Sequence, residues 1–245
     1  VANMRKPEKE IWESGRGEGL AIDDFCSPWI VAQNAEWRQL LHLGTKRSFN
    51  KGTVIIGNDQ VIDDLYYLHS GRVKLAHIAK NGREKILFYV ERGNVFGEVP
   101  FFARKPIHRQ FSALSACQVY TFSRECFYEK IAPFYPELLI TLLEVMGNKT
   151  RILASQACAL DSIISRLCKV LIYVVERGKG EERAGKIHCD QGIAKEELAS
   201  ILGVHRATLF SAIAQLKQAG ILEDVSRKHL IIMDYAQLVS LAQGE

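Results

Sequence analysis

Ala194-Lys195-Glu196-Glu197-Leu198-Ala199-Ser200-Ile201-Leu202-Gly203-Val204-His205-Arg206-Ala207-Thr208-Leu209-Phe210-Ser211-Ala212-Ile213 is the stretch that decides how the chain is read. Leu198, Ile201 and Leu202 share one face of a helix over 194–202. Leu209, Ile213 and Leu216 share one face of a second helix that starts at Val204. Gly203 stands between them, where a tight turn passes through a conformation that penalises a Cβ. Ala199 is small enough for close packing. Behind these helices, Ile221–Val225, the turn Ser226-Arg227-Lys228-His229 and Leu230–Met233 read as a β-hairpin. Two short amphipathic helices joined at a glycine and backed by a hairpin predict a winged helix-turn-helix, which lays its second helix in the major groove of DNA. The hairpin turn places Arg227 and Lys228 where they can meet phosphates.

Upstream the helical pattern continues. From Pro136, the residues Leu139, Leu143, Met146, Thr150, Leu153, Ala157 and Leu160 recur at alternating steps of four and three, the seam of a coiled coil. The spacing predicts a helix over 136–160 that pairs with a second copy of the chain. Leu138, Ile140, Leu142 and Ile152 lie off that seam, so the same helix is expected to cover its own domain as well. Asp161 is expected to cap a further helix over 162–176, ended by Arg177-Gly178-Lys179-Gly180. Gly178–Gly185 reads as a charged, glycine-rich loop, and Ala159-Leu160-Asp161 as a hinge.

Between Phe49 and Phe122 the period shortens, and Gly52, Gly57, Gly71, Gly82, Gly93 and Gly97 punctuate short β-prone runs. Thr53–Ile56, Leu65–Leu68, Val73–Leu75, Lys85–Val90 and Cys117–Phe122 predict an antiparallel sandwich or barrel. Asn81-Gly82 signals a two-residue hairpin turn. Residues 28–43 read as a short helix through Trp29, Ile30, Trp37, Leu40 and Leu41, and the polar residues 1–24 as a flexible tail. The expected organisation is α+β: a tail (1–24), a β-barrel domain (25–135), a dimerisation helix (136–160) and a winged helix-turn-helix domain (161–245).

Composition narrows the function classes. Apolar residues make up 47% and charged residues 24% of 245, enough for a sizeable core and too apolar for extended disorder. The longest apolar run, 167–175, is interrupted by Lys169 and too short to span a bilayer. Residues 4–10 lack the apolar stretch of a secretion signal, and a cytoplasmic protein with no membrane partner is expected. Cys26, Cys117, Cys126, Cys158, Cys168 and Cys189 form no C-x-x-C pair, so neither a metal nor an iron–sulfur cluster is expected. The chain carries a net charge of +4, but residues 162–245 hold 11 Lys and Arg against 10 Asp and Glu. Any affinity for DNA must therefore come from pattern, because bulk charge does not supply it. No P-loop, G-x-S-x-G, H-E-x-x-H or dinucleotide fingerprint occurs, which argues against an enzyme.

Phe49-Asn50-Lys51-Gly52, Gly57, Leu65–Leu75 and Gly93-Asn94-Val95-Phe96-Gly97-Glu98 resemble the effector-binding barrel of the Crp/Fnr superfamily of bacterial transcription regulators. The long helix and the winged helix-turn-helix continue the resemblance over residues 25–240. It implies a cyclic-nucleotide-binding-type barrel, a homodimer, a palindromic duplex operator, and a small effector that shifts the population of two arrangements. RNA polymerase is a further candidate partner. In cyclic-nucleotide members the cassette that begins Gly-Glu holds ribose and phosphate, the phosphate through an Arg-Ser pair. Here Gly97 and Glu98 are kept, but His108-Arg109 stands near the place of that pair, which disfavours a nucleotide. The strand around Phe88 and the segment with Phe102 suggest an aromatic-lined pocket, and 82–89 with the wing resembles the halophenol-responsive regulators of halorespiration. On that resemblance an organic acid would meet Phe88, Gly97, Glu98, Phe102, His108 and Arg109, with Thr150 and Arg151 from the long helix. An alternative is a sensor of the same family working by redox through Cys117 or Cys158, or by haem through His77 or His108. Haem is disfavoured because lone histidines in a barrel are more often surface or hydrogen-bonded residues.

Family members often carry Arg-Glu-Thr-x-x-Arg on the recognition helix. This chain has Arg206-Ala207-Thr208-Leu209-Phe210-Ser211 after His205. The resemblance implies that Arg206 reads guanine, Thr208 binds phosphate, and Phe210 touches a thymine methyl. Ala207 and Ser211 remove a cytosine acceptor and a guanine donor, so an AT-richer half-site is expected.

Overall fold

A computed structural model describes residues 28–30, 34–158, 161–190 and 192–244, apart from the side chains of Ser155, Ala157 and Cys158. The expected tail, Cys26, Leu160 and most of the expected hinge lie outside the described residues. The chain divides into two units, residues 28–154 and a carboxyl-terminal unit from residue 155 onward.

Among the described residues, the first unit holds nine strands: β1 (Trp29–Ile30), β2 (Thr45–Phe49), β3 (Val54–Ile56), β4 (Asp64–Ser70), β5 (Arg72–Ile78), β6 (Glu84–Glu91), β7 (Val95–Phe96), β8 (Gln110–Ala113) and β9 (Cys117–Ser123). They form two sheets, ordered β1-β6-β5-β8-β3 and β2-β9-β4-β7. All pairings are antiparallel except β1 with β6. Successive side chains on a strand point to opposite faces, so Leu65-Tyr66-Tyr67-Leu68 can be buried throughout only if both faces are covered. They are. Tyr66 and Leu68 enter the core between the sheets with Val73, Phe88, Phe96, Phe111 and Val119. Leu65 and Tyr67 enter a second core with Trp37, Leu40, Phe101, Phe122, Phe127, Leu138 and Leu142.

Several expectations need correction here. Trp29 and Ile30 are not helical. Trp29 stacks on Tyr89 at 5.3 Å, and Tyr89 donates its N–H to Pro28 O, so the segment joins the sheet; among the described residues of 28–43, Ala35–Leu43 is helical, as a 3-10 helix. Asn81-Gly82 does not form a two-residue turn. Ala79 N–H bonds to Arg83 O, leaving Lys80, Asn81 and Gly82 as a three-residue loop closed by Gly82 at φ 78°. β2, β7 and β8 were not expected; β2 is almost wholly exposed and shows no apolar alternation.

Besides a short helical stretch over Arg124–Cys126 and Phe127–Ile131, the described residues on this side of the chain hold α1 (Glu98–Ala103) and the long α2 (Pro136–Cys158). Pro136 opens α2 where its missing N–H has no helical partner to lose. The stripe that α2 buries on the sheets is Leu138, Leu142, Val145, Lys149 and Ile152. Its flanks are drawn in too: Leu139 and Met146 pack on one core and Leu153 on the other. The expected seam therefore shares residues with the chain's own core. The apolar line that stands clear of the barrel runs through Ile140, Leu143 and Gly147, with Leu143 61% exposed. Leu139, Met146 and Leu153 are partly spent on the chain's own core.

The second unit contains α3 (Ile163–Arg177), β10 (Glu181–Arg183), β11 (Lys186–Cys189), α4 (Lys195–Leu202), α5 (Arg206–Gln218), β12 (Leu222–Val225), β13 (Leu230–Ile232) and α6 (Tyr235–Gln243). The strands form one antiparallel sheet, ordered β10-β11-β13-β12. The cap of α3 is Ser162, whose Oγ accepts from Ser165 N–H, rather than Asp161, which pairs with Lys169 at 2.6 Å. The stretch 178–185, expected as a plain loop, holds β10 and widens the sheet behind the wing. α3 buries Leu167, Cys168, Leu171, Val174 and Val175 and packs on α4, α5 and α6.

Candidate functional site

In the second unit, α4 ends because Gly203 takes φ 67°, ψ 35°, the left-handed conformation that an L side chain resists. Arg166 of α3 donates from Nη2 to Leu202 O at 2.5 Å, pinning the last turn of α4 beneath the turn. The next helix begins two residues later than expected, at Arg206, with His205 in the capping position. Leu209, Ala212, Ile213 and Leu216 of α5 are buried, with Leu198, Ala199, Ile201 and Leu202 of α4. Their burial turns His205, Arg206, Ala207, Thr208, Phe210 and Ser211 outward, and all six are exposed.

Two contacts run from the first turn of α4 to this face. Glu196 Oε1 lies 3.7 Å from Arg206 Nη2, and Lys195 Nζ lies 5.7 Å from the centre of the Phe210 ring. Sequence reasoning missed both, since contacts across a helix-turn-helix follow neither the helical nor the strand repeat. The wing turn is closed by Ser226 N–H to His229 O at 3.0 Å, leaving Arg227 and Lys228 exposed. Asp224 fixes the strand beside it through His229 Nε2 at 2.8 Å and Lys217 Nζ at 3.9 Å. Gly192 packs directly under the turn: a Cβ there would come within 1.9 Å of Ser226 O.

In the first unit, Gly97 turns the chain at φ 82° from β7 into α1, and the space for its Cβ is closed by Ile56, Ile62 and Tyr66. This turn drives the Glu98 carboxylate inward. Glu98 Oε1 meets Lys149 Nζ at 2.9 Å, with both side chains about 95% buried. Lys149 also donates to Val95 O at 3.0 Å, and its ammonium lies 5.6 Å from the Phe88 ring centre. Val95 N–H is held in turn by the buried Asn34 Oδ1 at 3.2 Å, and Asn34 Nδ2 donates to Thr141 Oγ1 of α2. Among the described residues, Glu98 Oε2 is buried without a hydrogen-bond partner. Lys149 was missed from sequence, although it falls on the steps of four and three that mark the buried stripe of α2; a cation on such a stripe is the signal.

Of the other expected effector residues, Phe88 is brought beside the Glu98–Lys149 pair through the Lys149 ammonium, while Phe102, His108, Arg109, Thr150 and Arg151 have other surroundings. Phe88 lies in the core between the sheets, whereas Phe102 packs against Phe101 and Phe127 in the second core, so the two do not line one pocket. Adjacent side chains leave α1 on different sides, which the linear sequence conceals. His108, at φ 47°, bonds to Asp59, itself at φ 61°, and both are exposed. Arg109 is also exposed and donates to its own loop at Ile107 O. Thr150 and Arg151 are exposed on α2, with Thr150 Oγ1 bonded to Met146 O.

Among the described residues, no group of three or more His, Cys, Asp or Glu could hold a metal ion, and no helix is long and apolar enough to cross a membrane. Cys117, Cys168 and Cys189 are buried, and burial pushes the Cys168 thiol up to about 12.

Residues 46–133 match the family model of the cyclic nucleotide-binding domain, and residues 165–241 that of the Crp-like helix-turn-helix domain. The chain is 25% identical over 197 residues to the CRP-like cAMP-activated global transcriptional regulator of Mycobacterium tuberculosis, covering 80% of this chain and 87% of the relative. Among solved structures, CprK complexed with OCPA superposes with a TM-score of 0.71 at 19% identity, over 87% of this chain and 99% of that one. A CooA variant from Carboxydothermus hydrogenoformans gives 0.69 at 20% identity, over 83% and 90%. With the barrel and its cassette in one unit and the winged helix-turn-helix in the other, the chain belongs to the Crp/Fnr superfamily of DNA-binding, effector-responsive transcription regulators.

Proposed function

We propose that the chain is a cytoplasmic, homodimeric regulator that reads a palindromic duplex through α5 and is switched by a small organic ligand other than a cyclic nucleotide. It acts on transcription from that operator, with RNA polymerase as a further partner. The observation that carries the ligand class is the state of the cassette. Where a nucleotide phosphate would need an Arg-Ser pair, this chain offers His108 tied to Asp59 and Arg109 tied to Ile107 O. Glu98, kept from the family pattern, already spends one oxygen on Lys149.

The buried pair gives the ligand a way to act. Lys149 sits on α2 and Glu98 on α1, so a ligand group that competes for either changes how the long helix is held. An effector works only through its differential affinity for two such arrangements. The apolar line through Ile140 and Leu143 supports a two-fold pairing of α2. Such pairing would present two copies of α5 about 34 Å apart, one turn of duplex. Redox sensing through Cys117 finds less support, because its thiol is buried and rests on the carbonyl oxygens of Arg72 and Ser115. Cys158 has no described side chain.

A thermal-shift panel of cyclic nucleotides, aromatic acids, halophenols, 2-oxo acids and haem tests the ligand. A compound at a hundredfold excess over its dissociation constant stabilises the fold by about 2.7 kcal/mol. An organic acid is expected to raise the midpoint. A rise with cyclic AMP at micromolar concentration would instead sink the non-nucleotide reading. Selection of duplexes from a random pool tests the output: Arg206→Ala is expected to cost about 1–3 kcal/mol on the recovered site and to relax one base pair. A wild-type chain that enriches no sequence removes the regulator reading.

A further inference from the structure

We propose that Glu196 is a specificity-determining residue of the DNA-reading face, acting through Arg206 to penalise non-specific duplex more than the cognate site. This rests on the DNA-binding reading above. The first helix of a helix-turn-helix crosses the phosphate backbone, and Glu196 stands in the first turn of that helix, α4. Its carboxylate is 3.7 Å from the Arg206 guanidinium, with the two side chains 59% and 66% exposed. In water such a pair contributes little. Docked against DNA it loses solvent, and the same charges count for more.

The two kinds of duplex then differ. Arg206 has five N–H donors, so it can give two to guanine O6 and N7 and still keep Glu196 neutralised with the rest. On a duplex without that guanine the guanidinium is drawn to a phosphate, and the Glu196 charge is left facing the backbone. The neighbouring Lys195 ammonium lies 5.7 Å from the centre of the Phe210 ring. The module has little positive charge in reserve: residues 162–245 carry 11 Lys and Arg against 10 Asp and Glu. One uncompensated carboxylate is therefore a large fraction of its electrostatic attraction for DNA.

The test uses the full chain as wild type, Glu196→Gln, Glu196→Asp, Arg206→Ala and the Arg206→Ala/Glu196→Gln double variant. Binding is read by fluorescence anisotropy between about 50 and 200 mM salt. The probes are a duplex recovered by the wild type from a random pool and a random-sequence duplex of equal length. Glu196→Gln should tighten the random duplex by about threefold to tenfold and the recovered duplex by less than about twofold, narrowing the ratio. Glu196→Asp keeps the charge and should keep the wild-type ratio. In the Arg206→Ala background, Glu196→Gln should shift both duplexes equally. The proposal is overturned if Glu196→Gln leaves the random duplex unchanged, or tightens both duplexes by one factor. Weakening of the recovered duplex alone also overturns it, since Glu196 would then be a simple prop for Arg206. A wild type that recovers no sequence fails at the earlier step, the DNA-binding reading itself.

Discussion

Lys149 is the residue on which the first unit's cassette and its long helix meet. Removing only one partner of a buried ion pair leaves a charge with nothing to balance it, a loss of about 3–5 kcal/mol. Lys149→Met is expected to lower stability by that order in urea unfolding, and Glu98→Gln/Lys149→Met to recover much of it. A neutral single variant would show that the pair is not closed in solution. Cys168 makes a different demand. Burial raises its thiol from an ordinary value of 9.0 to about 12, so above pH 9 the unfolded chain loses a proton that the folded chain keeps. Stability is then whole below pH 9 and falls as pH climbs towards 12. Thermal melts across pH 8–10.5 should show a shallower decline for Cys168→Ala than for the wild type. Tyr66 and Tyr67, also raised by burial, add the same sense of slope in the first unit and remain in both proteins.

At the scale of elements, α2 buries Leu142 on its own domain and leaves the adjacent Leu143 61% exposed, on the face proposed for pairing. Leu143→Glu on the open line is expected to yield a folded monomer by size-exclusion chromatography with light scattering. Leu142→Glu, at a site 2% exposed, is expected to unfold the barrel instead. The same helix shows what periodicity can convey. A repeat of four and three marks an apolar stripe but not its recipient, and two such stripes one residue apart overlap on α2. The glycines at 97 and 203 were legible because their turns leave no other choice of residue, and the buried faces of α4 and α5 because two independent repeats agree. β2 was not legible: its Thr45-Lys46-Arg47-Ser48 carries no alternation, and it is held by backbone pairing to β9. Contacts that join distant residues, such as Glu98 with Lys149, are absent from any local pattern.

For the whole molecule, the two units draw on different physics. The second has almost no net charge, so on the proposed reading its selectivity for DNA would rest on a few placed groups, the Arg206 face and the wing seated on Gly192. The first is a barrel of long-range pairings, with β4 at its centre. Because β4 is dry on both sides, it contributes to two cores at once and depends on β9, which follows it at a distance along the chain. Slow, non-local pairing of this kind leaves apolar surface uncovered during synthesis. Leu65-Tyr66-Tyr67-Leu68 leaves the ribosome well before Cys117–Ser123 can shelter it. The nascent barrel is thus the stage at which uncovered apolar surface most favours aggregation.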